Sequence, residues 1–144
     1  MSIILVLIVL GLSSYYVNNF PPKFDDKVVA VSLVNQEITS DGVTYTIKVT
    51  NNGSYSLKNN TLYFTARKYM QPVEAKVTEG NKELINPGEQ AKFTVFVPKE
   101  QFTDLQSSQN IFSEVMLKGY VSWWFWKVPF NKGGGVNINY PSLS

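Results

Sequence analysis

The sequence predicts an all-β protein: an antiparallel, immunoglobulin-like or fibronectin-like β-sandwich of roughly seven to eight strands, preceded by an N-terminal hydrophobic helix. Three observations carry that expectation. Short runs rich in Val, Ile, Thr, Tyr and Phe recur about every ten residues after Val28. Gly, Pro and Asn turn signals separate them. Nothing beyond the N-terminus shows the periodicity of an amphipathic helix.

With 144 residues, the chain has room for one domain with its own core. Three regions follow: a hydrophobic membrane anchor or signal segment over residues 1–20, a linker over 21–27, and the β-sandwich domain over 28–144. In the first, Ile3, Ile4, Leu5, Val6, Leu7, Ile8, Val9, Leu10 and Leu12 form an almost unbroken apolar run, and no charged residue precedes Lys23. A segment that is apolar all round must be covered by lipid, by a partner or by a translocation channel. Three readings stand open. Gly11-Leu12-Ser13 suits the small-residue site of a cleaved secretory signal, although the basic leader of such a signal is missing. An uncleaved anchor would span Ser2 to Phe20 and set Tyr15, Tyr16 and Phe20 at the interface. A filament subunit would pack the segment against other copies. All three place the remainder outside the cytoplasm, at a cell surface or, after cleavage, in the medium. Pro21-Pro22 stops the helix and stiffens the chain.

Val28 to Ile38 reads as the first strand, rich in β-branched residues. Asp41-Gly42 turns the chain. Val43, Tyr45, Ile47 and Val49 then alternate with Thr44, Thr46, Lys48 and Thr50, a half-buried strand. Asn51-Asn52-Gly53-Ser54 ends it. Thr61 to Tyr69 is a third strand with Leu62, Phe64 and Ala66 inward. After Pro72, which marks an edge, Val73 to Thr78 continues with Val73, Ala75 and Val77 on one face, and Glu79-Gly80-Asn81 reads as a turn. Asn86-Pro87-Gly88-Glu89 is a strong turn signature that launches Gln90 to Val97. Lys99 to Asn110 reads as a loop or a single helical turn. Met116 to Ser122 and Lys127 to Phe130 read as two antiparallel strands. Gly133-Gly134-Gly135 is a flexible connection, and Val136 to Tyr140 a last strand.

Composition narrows the chemistry. The chain has no Cys and no His, which removes thiol nucleophiles, the commonest zinc ligands and the imidazole base of a serine triad. The carboxylates Asp25, Asp26, Asp41, Glu74, Glu79, Glu83 and Asp104 are scattered, with no pair spaced to face across a cleft. Asp25-Asp26 near Asp41 offers oxygen ligands for calcium but no dedicated loop. The glycine triplet lacks the Lys and Ser/Thr of a phosphate-binding loop. The net charge of +2 is spread along the chain, unlike the clustered basic face of a nucleic-acid binder. The expectation is a protein without catalytic activity, cofactor, metal, nucleic acid or small-molecule substrate.

Two features point to contacts instead. The stretch Ser122 to Lys127, SWWFWK, holds all three tryptophans. Alternate strand residues face opposite ways, so Trp123, Trp124, Phe125 and Trp126 cannot all enter one core. Either Trp124 and Trp126 are buried while Trp123 and Phe125 stay partly exposed, or the hairpin tip is a contact surface for a protein or a membrane. Asn52-Gly53-Ser54 and Asn59-Asn60-Thr61 are N-glycosylation sequons at Asn52 and Asn59, both assigned to the loop between the second and third strands.

From about Asn35 to Asn139 the layout resembles late-embryogenesis-abundant proteins of the water-stress-and-hypersensitive-response (WHy) type. The resemblance rests on the strand end Lys48-Val49-Thr50-Asn51-Asn52, the Leu-rich step from Leu57 to Leu62 and the turn Asn86-Pro87-Gly88. It continues in Leu117-Lys118-Gly119, which leads to Lys127-Val128-Pro129-Phe130 and a Gly-rich step. It implies a small β-sandwich, often behind a membrane anchor and linked with desiccation and stress protection, and it offers no catalytic residues. Together these features predict a membrane-anchored extracytoplasmic module that binds a protein partner or itself. The alternative is a pilus-like filament or virion subunit that polymerises through its N-terminus.

Overall fold

The structure is a computed structural model that describes residues 3–19, 23–68, 70–102 and 111–138. A helix, α1 (Ile3–Asn19), is followed by nine strands among the described residues: β1 (Val29–Ile38), β2 (Gly42–Asn51), β3 (Leu57–Lys68), β4 (Gln71–Val73), β5 (Lys76–Glu79), β6 (Asn81–Ile85), β7 (Gln90–Pro98), β8 (Ile111–Trp123) and β9 (Trp126–Ile138). Every pairing is antiparallel. One sheet runs β1-β2-β7-β5, and the other runs β4-β3-β8-β9 with β6 also paired to β3.

The two sheets share their apolar residues. Ile47, Val49, Phe93 and Val95 of the first pack with Leu57, Leu62, Val115, Leu117 and Phe130 of the second in one buried cluster. A second cluster joins Val43, Tyr45 and Val97 to Ala66, Val73, Ile111 and Ile138. The alternation read in β2 matches this packing: Val43, Tyr45, Ile47 and Val49 are all buried, while the threonines between them are half-buried. Pro72 lies in β4, an edge strand, where its missing N–H leaves no gap in the ladder.

The structure departs from the sequence reading in five places. Val73 to Thr78 is not one strand: Val73 pairs in the second sheet with Ala66, and Lys76 in the first with Phe96. Both sheets face a common core, so an inward alternation passes from one to the other without a break in the pattern. Asn81–Ile85 is a strand, not the tail of a turn. It is polar, with Ile85 its one buried residue. The aromatic hairpin is longer than expected, since β8 begins at Ile111 and β9 runs unbroken to Ile138. Gly133-Gly134-Gly135 therefore lies inside β9, opposite Met116, Val115 and Glu114. Glycine tolerates extended backbone but has no side chain to mark a face. Asn59 lies inside β3, not in the preceding loop, at φ 49° and in the register shift between Lys58 and Thr61. Asn is among the few residues that accept this conformation, and the shift is a local bulge.

The loop reading of Lys99 to Asn110 is a 3-10 turn over Lys99–Phe102, with Phe102 buried, as far as residue 102. Residues 103–110, which include Asp104, lie outside the described residues, as do Met1, Ser2, Phe20, Pro21-Pro22, Tyr69 and Tyr140, and the side chain of Tyr16.

α1 has 17 residues, about 25 Å at the usual rise of 1.5 Å per residue. No helix among the described residues is long and apolar enough to cross a membrane. Ile3, Ile4, Leu5, Val6, Leu7, Ile8, Val9, Leu10 and Leu12 are all exposed.

Candidate functional site

β8 and β9 stay in register from Ile111 opposite Ile138 to Trp123 opposite Trp126, leaving Trp124-Phe125 as a two-residue turn. Two-residue hairpins favour positive φ at the turn, and Trp124 accordingly sits at φ 55°. A bulky residue there is uncommon, and it turns the ring out of the strand's alternation. Trp124 is 81% exposed, Phe125 78% and Trp126 38%, whereas Trp123 is half-buried against the core. The reading that buried Trp124 and Trp126 is therefore reversed, because strand parity stops at the turn.

The four rings hold one another. Trp123 stacks on Trp124 with centroids 5.8 Å apart and on Trp126 at 5.7 Å, and Phe125 lies 4.3 Å from Trp126. Below them Val121 and Val128 are buried. The Lys127 ammonium lies 4.9 Å from the ring centroid of Tyr120, a cation–π distance, and the Lys58 ammonium donates to the Ser122 hydroxyl at 3.1 Å.

Two other segments meet the tip. Phe24 packs on Phe130 of β9 with centroids 5.1 Å apart. Lys23, Phe24, the loop Asn52 to Tyr55, Val121, Trp123 and Val128 line a cavity of about 300 Å³. Asn52 is exposed at this end and donates its backbone N–H to the Val28 carbonyl at 2.9 Å.

Asn51 fixes this loop. Fully buried, it donates its side-chain amide to the carbonyls of Tyr55 at 2.8 Å and Ile85 at 3.0 Å, and its side-chain oxygen accepts the Gly53 N–H at 3.0 Å. Its main chain pairs with Gly88 and Glu89, so one residue ties the end of β2 to the Asn86-Pro87-Gly88-Glu89 turn. Glu89 accepts the Asn86 N–H at 2.9 Å, which holds its carboxyl below the usual range. The sequence marked Asn51 as a turn residue but gave no sign of its burial.

A second concavity, about 580 Å³, lies on the outer face of β3, β8 and β9, where Gly133 to Gly135 leave Tyr63, Phe112 and Met116 uncovered on one side.

Among the described residues, no group of three or more Asp, Glu, His or Cys side chains could hold a metal ion. Asp25-Asp26 and Asp41 lie beyond opposite ends of the ten-residue β1, roughly 30 Å apart at the usual strand rise, so they cannot share a cation. Burial pushes the Tyr45 phenol above its ordinary value, and its hydroxyl has no hydrogen-bond partner among the described residues. It lies inside the core, away from both concavities.

No protein-family model matches the chain, and no curated protein matches it. Among solved structures it is similar to that of the structural-genomics target SoR45, at 15% identity over 83% of this chain and 92% of that one, with a TM-score of 0.51. That likeness concerns the fold. It is also similar to a protein described as late embryogenesis abundant (LEA), at 14% identity over 92% and 79% of the two chains with a TM-score of 0.46. A protein from Arabidopsis thaliana matches at 18% identity over 79% and 81%, with a TM-score of 0.41. The resemblance to LEA proteins is weak.

Proposed function

We propose that this chain is a non-catalytic contact module: an immunoglobulin-like β-sandwich, held outside the cytoplasm by its N-terminal helix, that works by binding. The observation that carries the proposal is the exposure of α1. Its described side chains from Ile3 to Tyr15 are all exposed and none is charged. Burial of apolar surface is worth about 25 cal/mol per Å², so a helix apolar all round is covered by something outside the β domain. Lipid is that cover in the first reading. The 17 described residues stand at the short end of the roughly 17–25 that a crossing uses, and a short segment is accommodated by local thinning of the bilayer. The sandwich assignment draws on the two antiparallel sheets and their common core, and the contact role on the exposed aromatic turn.

A second reading is favoured by the same shortness: α1 is covered by other copies of itself in a filament. Fractionation of cells that express the full chain separates the two. Sedimentation with membranes and release by detergent as discrete particles is the expected result. Polymers that survive without lipid would make this an assembly subunit, and a monomer soluble without detergent would overturn both readings.

A further inference from the structure

We infer that the aromatic turn is a lipid-interface finger: Trp124, Phe125 and Trp126 dip into the headgroup region of the leaflet that receives α1. The inference rests on the anchoring reading above and names the partner of the tip.

Three observations converge. The first is position. α1 ends at Asn19, and four residue steps later Lys23 lines the same cavity as Trp123. Four steps of extended chain reach at most about 14 Å, so a helix seated in a membrane holds this end of the β domain, and not the opposite one, against the surface. The packing of Phe24 on Phe130 ties the point of entry to the strand that carries the turn.

The second is chemistry. Trp and Phe rings on an exposed turn suit the boundary between headgroups and acyl chains, where Trp concentrates. The stacked rings limit their own motion, so insertion orders little that is not already ordered. The third is charge. Lys23, Lys58 and Lys127 lie around the tip, with Asp25 and Asp26 beside them and Asp26 paired with Lys132 at 3.8 Å, an excess of positive charge that suits anionic headgroups. A protein pocket that accepted three adjacent rings would leave unexplained why they crowd the end where the helix enters.

All three tryptophans of the chain lie at this hairpin tip, so emission excited selectively from tryptophan reports on it alone. The test reconstitutes the full chain into phosphatidylcholine vesicles, with and without phosphatidylglycerol, that carry a lipid quencher either near the headgroup or deep in the acyl chain. The expected result is a blue-shifted emission, quenched several-fold more by the shallow label than by the deep one. The doubly substituted Trp124→Ser, Phe125→Ser chain should stay in the vesicles through α1, keep its β-sheet circular dichroism and lose most of the shallow quenching. A chain that floats with the vesicles while its emission ignores both labels would overturn the finger and leave the anchor standing. A chain that does not float with vesicles would overturn both.

Discussion

Phe24 and Phe130 pack ring against ring, 5.1 Å between centroids, and so bind the segment that follows the apolar helix to the strand that carries the aromatic turn. A chain lacking residues 1–22 keeps this contact and should fold as a soluble domain with β-sheet circular dichroism. Removing residues 1–27, or the single change Phe24→Ala, should lower the unfolding free energy by about 2 kcal/mol, roughly half the cost of deleting a fully buried ring. Urea unfolding of the three variants checks this, and an unfolded product from the first truncation would refute it.

Asn51→Ala should be far more costly than its place in a turn suggests. It strips partners from the Gly53 N–H and from the carbonyls of Tyr55 and Ile85, and buried groups left unpaired cost about 1–3 kcal/mol each. Partial relaxation brings the expected total to about 3 kcal/mol. Asn52→Ala, whose side chain is exposed, is the control and should stay within about 0.5 kcal/mol of the parent.

Tyr45→Phe should stabilise the protein by about 1 kcal/mol, because it deletes a buried hydroxyl that has no partner among the described residues. Burial raises the folded-state pKa of this phenol above its ordinary 10.0, so the neutral form is favoured in the fold. The contribution is full below pH 10 and is lost as pH rises toward the folded value. Thermal unfolding above about pH 10 should therefore fall more steeply for the parent than for Tyr45→Phe. Parallel slopes would count against it.

The Asn86-Pro87-Gly88-Glu89 turn makes a prediction of the opposite sign. The carboxyl of Glu89 is lowered from its usual 4.5 by the Asn86 N–H. Its contribution is present above that value and is lost as pH falls through the lower folded value. The parent should be the more stable of the two near neutral pH, its stability should fall more steeply than that of Glu89→Gln as pH drops below 4.5, and the two curves should converge in acid, as acid unfolding followed by circular dichroism would show. Gly88 sits at φ 79° with open space around it, so Gly88→Ala should cost about 1 kcal/mol from backbone strain alone.

The sequence was most legible where burial is one-sided. From Val43 to Thr50 of β2 each inward residue is apolar and each outward one is Thr or Lys, so the pattern named both the strand and its core face. In β8 the pattern is broken by Ser113, which is buried and donates its hydroxyl to the Val136 carbonyl, and by Phe112, which is 54% exposed. The first half of that strand is therefore silent. β6 shows a single buried residue, too little for a period. The candidate site was half legible: composition marked the four rings, but not which of them faces out, because the parity of the strands ends at the turn. The partnership with Phe24 joins residues about a hundred positions apart in sequence, and no local pattern encodes it.

The passage of the chain between layers has a mechanical consequence. It changes sheet between β2 and β3, β4 and β5, β5 and β6, β6 and β7, and β7 and β8, and three of these hops are as short as Glu74-Ala75, Gly80 and Asn86 to Glu89. The layers are laced together, with seams too short to stretch. Tension applied at the N-terminal helix reaches the β8–β9 hairpin through Phe24 and passes across the laces into the other sheet. The domain should therefore yield to force in one step.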